Sequence, residues 1–463
     1  MGKTIPYMAF LSVFGPLHPS LGAYRPPMAV LDCWRSHGSH AALELCNRLR
    51  TPRTPVQPLL EELYLRLVGA PGPRILLDGL WFTRPHGGIT RVWEQILNCW
   101  LLPGLISFKS PIALIERNSH LAITGRFENI NGSSVDPLDI GAVAKIAKEN
   151  AKYAGDWGAS VFTSSWLSVC AQDVYKCPEL HLVHDCLPER LSKDPVLLAQ
   201  RRRCSNGASE LIAVSKASAQ DLEFFLEKQK SSIAWCHPGV QPIFADFCAD
   251  VSSNEFWCQL QQRSGLNHPY VLLPATSAPG SYKNPELVAA ALAEHGLQQI
   301  QLVLSGLAAE THCATLLEQF PHLQGRCFAA GFTDLELAHA YNHALAVVLP
   351  SRIEGFGLPA IEALATGATV LVADSRGLRE AGAGACPRFS ASDPASLVSW
   401  LKLLLDQASS EWITPLLQRR AERRLQQLHP DLLGLTLLAL SRRCSNGYDR
   451  ANFYQNGIVC TNF

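Results

Sequence analysis

The chain has 463 residues, 47% of them hydrophobic and 17% charged, which is enough apolar material for more than one packed core. Lys plus Arg and Asp plus Glu both total 40, so the formal net charge is zero, which argues against a protein that holds nucleic acid or another polyanion by bulk charge. No run approaches the roughly eighteen apolar residues of a membrane span, and the fifteen cysteines show neither a CxxC pair nor zinc-ligand spacing, so they read as reduced thiols of a cytoplasmic protein.

The apolar stretch Ile5 to Leu17 is interrupted by Pro6 and Pro16, and a secretory signal is not expected there. Ten of the thirty prolines fall within residues 1–73, too many for a continuous sheet. This region reads as a Pro-rich extension with short helices at His40–Arg50 and Pro58–Val68, the second carrying Leu59, Leu60, Leu63 and Leu67 on one face. Its expected role is an arm packed on the main body. A first strand is expected at Arg74–Asp78, then a loop with Trp81, Phe82 and His86, then the pair Gly87-Gly88 and a helix over Ile89–Cys99. The glycine pair is either a plain turn or a place where backbone amides approach a phosphate or sugar. Strand-like runs follow at Pro111–Glu116, Ser160–Ser164, His181–Asp185 and Leu211–Ser215. His184 and Asp185 close the third of these, as a hydrogen-bonded strand-end pair or as ligand-facing groups.

The polar stretch Asp246–Pro269 is where a linker between two domains is expected, and a second alternating series begins at Tyr270–Leu273. Its further strands are Ile300–Leu304, Cys327–Ala330, Ala346–Pro350 and Thr369–Ala373, separated by helices at Pro285–Glu294, Ala309–Gln319 and Leu335–Asn342. Such alternation predicts an α/β fold of two doubly wound, parallel-sheet domains. The densest stretch is Ala344–Ala373, a strand, a glycine loop, a short helix and a strand. Glu354 lies in the loop, followed by Gly355, Phe356, Gly357 and Leu358, and Glu362 is expected in the first turn of the helix that Pro359 opens. Singly, Glu354 reads as a solvated loop acid and Glu362 as an acid favoured by the helix dipole. Two more helices are expected at Ala395–Leu405 and Trp412–Leu428, the second with a basic face of Arg419, Arg420, Arg423 and Arg424 that is either solvated or a peripheral membrane contact. Residues 431–463 read as a C-terminal tail. The hexapeptide Arg202–Gly207 recurs word for word as Arg442–Gly447, without similar flanks.

Taken together, Glu354-Gly-Phe-Gly-Leu-Pro-Ala-Ile-Glu362 resembles the Glu-x7-Glu signature of retaining glycosyltransferase family 4 (glycosyl transferases group 1), and the likeness runs on to Ser375-Arg-Gly-Leu-Arg-Glu380. Gly87-Gly88-Ile89-Thr90-Arg91 is similar to the family's glycine-rich first loop, and His184-Asp185 to its His-Asp strand end. Lys283-Asn284 stands where the family carries a lysine on the donor diphosphate. An arginine that family members usually carry beside this lysine is missing, replaced by Ser277-Ala-Pro-Gly-Ser-Tyr282. Lys283 then works with loop amides alone, or Arg352 substitutes, or activity is weak.

The resemblance covers residues 74 to 430. It implies the GT-B architecture, two Rossmann-like domains facing an interdomain cleft: an acceptor domain over 74–245 and a nucleotide-sugar domain over 246–430. It further implies transfer of a sugar from a nucleoside-diphosphate sugar to a glycan or lipid-linked acceptor, with retention, in bacterial cell-surface polysaccharide or lipopolysaccharide assembly. On the same basis the catalytic residues are Glu354 and His184, and the donor-binding residues are Lys283, Glu362, Gly355, Phe356, Gly357 and Leu358. Gly87, Gly88, Arg91 and Asp185 lie on the acceptor side. No cofactor is implied and, without an Asp-x-Asp signature, no metal. The expected location is cytoplasmic, with peripheral contact at the inner face of a membrane left open. The missing arginine motivates the alternative, a weak or inactive nucleotide-sugar-binding protein on the same fold.

Overall fold

The computed structural model describes residues 25–50, 57–85, 87–226, 233–247, 251–266 and 269–446. His86 and the stretch Ile5 to Leu17 lie outside the described residues. The chain divides into two compact units: the described residues up to Gly239 together with those from His429, and Val240–Leu428.

In the first unit seven parallel strands run β1 (Ile75–Asp78), β2 (Ile112–Glu116), β3 (Glu128–Asn131), β4 (Val161–Ser164), β5 (Glu179–Val183), β6 (Glu210–Ala213) and β7 (Ala234–Trp235). Their order in the sheet is β3-β2-β1-β4-β5-β6-β7. The second unit holds β8 (Tyr270–Leu273), β9 (Gln301–Ser305), β10 (Cys327–Ala330), β11 (Ala346–Leu349), β12 (Val370–Ala373) and β13 (Arg388–Phe389), in the order β10-β9-β8-β11-β12-β13. Both are Rossmann-like: the direction of winding reverses once, beside the first strand of each sheet, and a parallel sheet of this kind binds ligands at the carboxyl ends next to that reversal. The central strands β1, β4, β8, β11 and β12 are buried along their whole length, and β8, β11 and β12 accordingly read as unbroken apolar runs rather than alternating ones, while β1 and β4 bury polar residues at their carboxyl ends.

Three strands escape the sequence reading. β3 is an exposed edge of sequence Glu-Asn-Ile-Asn, and β7 and β13 are two-residue edges, so none carries an apolar run. The polar stretch expected as a linker contains a helix, Val251–Ser264, whose Trp257 stacks on His343 with ring centroids 4.2 Å apart. The chain leaves the first unit after Gly239 and returns at His429.

The described parts of the extension and of the tail belong to the first unit. Residues Arg25–Leu49 form one helical element interrupted at Gly38 (φ 83°), longer than the helix expected there, and Gln57–Leu67 form a second. Residues 432–446, read as part of a tail, form a helix with Leu433, Leu435, Leu437, Leu438 and Leu440 buried. Its close packing on the helix Gly88–Trp100 depends on Gly434, where a Cβ would stand 2.7 Å from that of Cys99. Arg35 pairs with Asp431, and Arg442 and Arg66 share Glu62, so chain segments almost four hundred residues apart are joined by ion pairs over an apolar interface. Arg443 pairs with Glu210, just beyond the first copy of the repeated hexapeptide. Among the described residues no helix is long and apolar enough to cross a membrane.

Candidate functional site

The six-stranded sheet reverses its winding between β8 and β11, which pair in parallel with Val347 against Leu272. The loops that leave these two strands therefore emerge side by side, and they carry Lys283 and Glu354. Lys283 Nζ donates to Glu354 Oε1 at 2.7 Å, with both side chains mostly buried. A small recess of about 10 Å³ next to the pair is lined by Thr276, Lys283, Pro350 and Ser351, among others.

Backbone conformations unusual for L-residues gather at this edge: φ is 49° at Ala275, 58° at Asn284, 57° at Ala308 and 117° at Gly357. Non-glycine residues hold the left-handed region only when their surroundings fix them there. Asn284 shows how. It is fully buried, and its Nδ2 donates to Pro350 O (3.1 Å) and Ala391 O (2.9 Å), so one side chain stitches the loop of Lys283 to two others. Gly357 caps the helix Leu358–Ala365, and a Cβ there would lie 2.8 Å from Leu378 Cδ2. Leu358 is the first helical residue, and Gly355 and Phe356 are buried in the turn before it. The glycine most crowded against this loop is Gly377 of the helix Arg376–Gly382, where a Cβ would stand 2.3 Å from Glu354 O. Gly377 and Asn284 are site residues that the sequence reading left without a role. Asn284 was signalled only by its adjacency to Lys283, and Gly377 only by its place in Ser-Arg-Gly-Leu-Arg-Glu.

Glu362 is one turn further along than expected. The first turn of the helix Leu358–Ala365 contains no acid, and Glu362 is the fifth residue, 3% exposed. Its carboxylate therefore owes less to the helix dipole, which falls off within the first turn, than its expected place implied. The basic face of the last long helix of this unit, Gln407–Leu425, also needs correction. Arg424 turns inward, 2% exposed, donating to Ala381 O (2.8 Å) and Glu380 O (3.0 Å), where it satisfies the end of the helix Arg376–Gly382. Burial lowers its pKa to about 10, so it stays a cation at neutral pH.

The remaining candidates belong to the seven-stranded unit. Gly87 is extended (φ −162°) with its Cβ position open, and Arg91 lies in the first turn of the helix Gly88–Trp100, its N–H donating to Gly87 O at 2.9 Å. His184 and Asp185 fall just beyond β5 rather than within it. Asp185 Oδ1 accepts from the Leu187 N–H at 2.9 Å and opens the short helix Leu187–Leu191. His184 Nε2 is shielded from solvent with no hydrogen-bond partner among the described residues. Burial, and next the charge of Arg201, push its pKa down to about 3, so the ring is neutral at physiological pH. The structure thus places Lys283, Glu354, Gly357 and Glu362 in one unit, with Lys283 and Glu354 in contact, and Gly87, Gly88, Arg91, His184 and Asp185 in the other. Among the described residues no group of three or more His, Cys, Asp or Glu is placed to hold a metal ion.

Residues 260–385, which include Lys283, Glu354 and Glu362, match the family model described as Glycosyl transferases group 1. Over 74 residues the chain is 46% identical to a D-inositol 3-phosphate glycosyltransferase of Frankia alni, a match spanning 16% of this chain and 18% of that relative. Solved structures resemble a much larger part. HepE of Anabaena in complex with UDP and glucose superposes with a TM-score of 0.61 at 17% identity, over 80% of this chain and all of that one. The sucrose-phosphate synthase of Thermosynechococcus elongatus gives 0.62 at 18% identity, over 81% of this chain and all of its own. WaaG, described as a glycosyltransferase involved in lipopolysaccharide biosynthesis, gives 0.58 at 16% identity over 81% of this chain and all of that one.

Proposed function

From a GT-B glycosyltransferase fold with a charged pair at the switch point of its second sheet, we propose that the protein transfers a sugar from a nucleoside-diphosphate sugar to an acceptor hydroxyl with retention of configuration. The observation that carries this reading is the contact of Lys283 Nζ with Glu354 Oε1 at 2.7 Å, at the carboxyl ends of β8 and β11. A donor diphosphate would take over Lys283 and leave Glu354 facing the sugar. The free amides at the start of the helix Leu358–Ala365 add partial positive charge on the same side. In the transfer, the bond from the anomeric carbon to the diphosphate breaks, the acceptor oxygen bonds that carbon on the same face, and the acceptor proton leaves with the diphosphate. Lys283 stabilises the leaving anion and Glu354 the developing positive charge on the sugar. Glu362 accepts hydrogen bonds from the ribose. The neutral imidazole of His184 can hydrogen-bond a sugar hydroxyl without placing a positive charge beside the developing cation. Gly87, Gly88, Arg91 and Asp185 serve the acceptor, a glycan or a lipid-linked one in cell-surface polysaccharide assembly, and no metal is assigned a step.

The test is a thermal-shift panel of UDP, GDP, ADP and dTDP. A nucleotide present at about a hundred times its dissociation constant adds roughly 2.7 kcal/mol to stability, so one of the four should raise Tm clearly. Lys283→Ala should weaken binding about ten- to a hundredfold and shrink that rise without abolishing it. Absence of a shift with all four nucleotides refutes the reading. Binding without consumption of any nucleotide sugar in the presence of acceptor lipids would favour the binding protein that the missing arginine suggests.

A further inference from the structure

Lys283 stands in a loop without the neighbouring arginine that the resemblance implies, and Arg352 reaches that loop from the end of β11. Its Nη2 donates to Asn284 Oδ1 (2.6 Å) and to Glu286 Oε1 (3.2 Å), and its Nη1 to Ser281 O (3.3 Å). Its backbone N–H donates to Tyr282 O at 2.8 Å. Glu286 in turn accepts from the Gly280 N–H through Oε2 at 3.3 Å. The residues on both sides of Lys283 are therefore fastened, and one guanidinium is the hub. Its planar fork meets three acceptors at once, a geometry that an ammonium on a flexible stem cannot copy.

We infer that Arg352 is a positioning residue for donor binding: it fixes the loop Gly280–Asn284 so that Lys283 is aimed at the anion, and does not itself grip the diphosphate. This rests on the donor-binding reading above. Two features carry it. Both Nη2 hydrogens of Arg352 are committed to Asn284 and Glu286 and Nη1 donates to Ser281 O, so a two-pronged grip on a phosphate through both terminal nitrogens would mean releasing Asn284 or Glu286. Asn284 holds a left-handed backbone (φ 58°), which asparagine adopts more readily than other non-glycine residues, and its side chain is fixed by Arg352 on the Oδ1 side and by Pro350 O and Ala391 O on the Nδ2 side. Arg352 thus takes over the structural task at the altered loop and leaves the charge to Lys283.

The experiment uses the full chain and three variants, Arg352→Ala, Arg352→Lys and Lys283→Ala, with the double variant Arg352→Ala/Lys283→Ala. Calorimetric affinity for whichever of UDP, GDP, ADP or dTDP binds should fall on the order of tenfold in both Arg352 variants. In the Lys283→Ala background Arg352→Ala should add almost nothing, since the two act through one contact. Full affinity in Arg352→Lys with loss only in Arg352→Ala would make Arg352 a phosphate-binding charge and overturn the inference, as would an undiminished effect in the Lys283→Ala background. A second measurement needs no ligand. Amide hydrogen exchange at residues 280–284 should quicken in both Arg352 variants while β8 and β11 stay protected, and unchanged exchange there overturns the inference. If no nucleotide binds the wild-type chain, the proposed function fails, and the exchange experiment still decides the role of Arg352.

Discussion

The carboxyl ends of the two sheets use charge in opposite ways. In the seven-stranded sheet Asp78, the last residue of β1, is fully buried and accepts from Arg117 Nε (2.7 Å), Asn150 Nδ2 (3.3 Å) and Ser168. Arg117 also donates to Ser133 O and Asn150 Oδ1, each at 2.7 Å. Such a network is closed: removing one member strands buried charge, and nothing in it is open to exchange with a ligand. In the six-stranded sheet the pair at the switch point, Lys283 and Glu354, keeps 19% and 13% of its side-chain surface exposed and sits among residues with left-handed backbone. A charged pair of that kind can trade its partner for a substrate anion. The first arrangement holds a sheet together, and the second leaves its charges open to exchange.

The sharpest way to break this contrast is Glu354→Gln. Charge on the sugar develops only as its bond breaks, so kcat should fall by about 10²- to 10³-fold with little change in KM. Wild-type kcat would reduce Glu354 to a structural partner of Lys283. Glu362→Ala should act the other way round. The ribose does not react, so the loss of a charged hydrogen bond worth roughly 1.5–3 kcal/mol should raise KM about ten- to a hundredfold at nearly constant kcat. Because Glu362 is buried, circular dichroism must first establish that this variant is folded. An intermediate effect is expected from Gly377→Ala, whose Cβ would meet Glu354 O at 2.3 Å. Overpacking of this kind costs about 1–3 kcal/mol, and it should appear as a lower urea midpoint at unchanged m-value. An unshifted midpoint would mean that the Glu354 loop yields freely.

The smallest effect concerns His184 and depends on pH. Its folded-state pKa is depressed from 6.5 to about 3, so above pH 6.5 it adds no pH dependence to stability. As pH falls below 6.5 the unfolded chain takes up a proton that the folded chain refuses, and the contribution of His184 is lost progressively toward pH 3. His184→Gln should remove that part of the slope in urea titrations between about pH 7.5 and pH 5. An identical slope in both proteins would show that the imidazole ionises in the fold.

Much of the fold was legible in the chain. The central strands announce themselves because burial on both faces demands unbroken apolar runs, as in Ala346–Leu349 and Val370–Ala373. The surroundings of Glu354 were legible for a different reason: strand, loop and helix are consecutive there, so local sequence specifies local geometry, although Glu362 sits one turn deeper in the helix than expected. Elements without an apolar run of their own were not. β3, β7 and β13 take their place by pairing with a neighbour already formed. The helix Val251–Ser264 shows a polar sequence around a buried Trp257 and Leu260, and the helix Leu432–Asn446 lies beyond the stretch the resemblance covers.

The sequence by itself determined which residues are candidates for the chemistry, because residue type is written in it, and it determined the two winding series, because buried strands and helices have distinct periodicities. Only the tertiary structure decided that Lys283 meets Glu354 across 71 residues of chain. That contact exists because β8 and β11 are neighbours at the reversal of the sheet, and a partner brought by topology leaves no mark on the local pattern of either residue. The inward turn of Arg424, the crowding at Gly377 and the hold of Arg352 on Asn284 are of the same kind. Each is set by which loop end or helix end comes to lie within hydrogen-bonding reach, a property of the assembled sheet and not of any one segment.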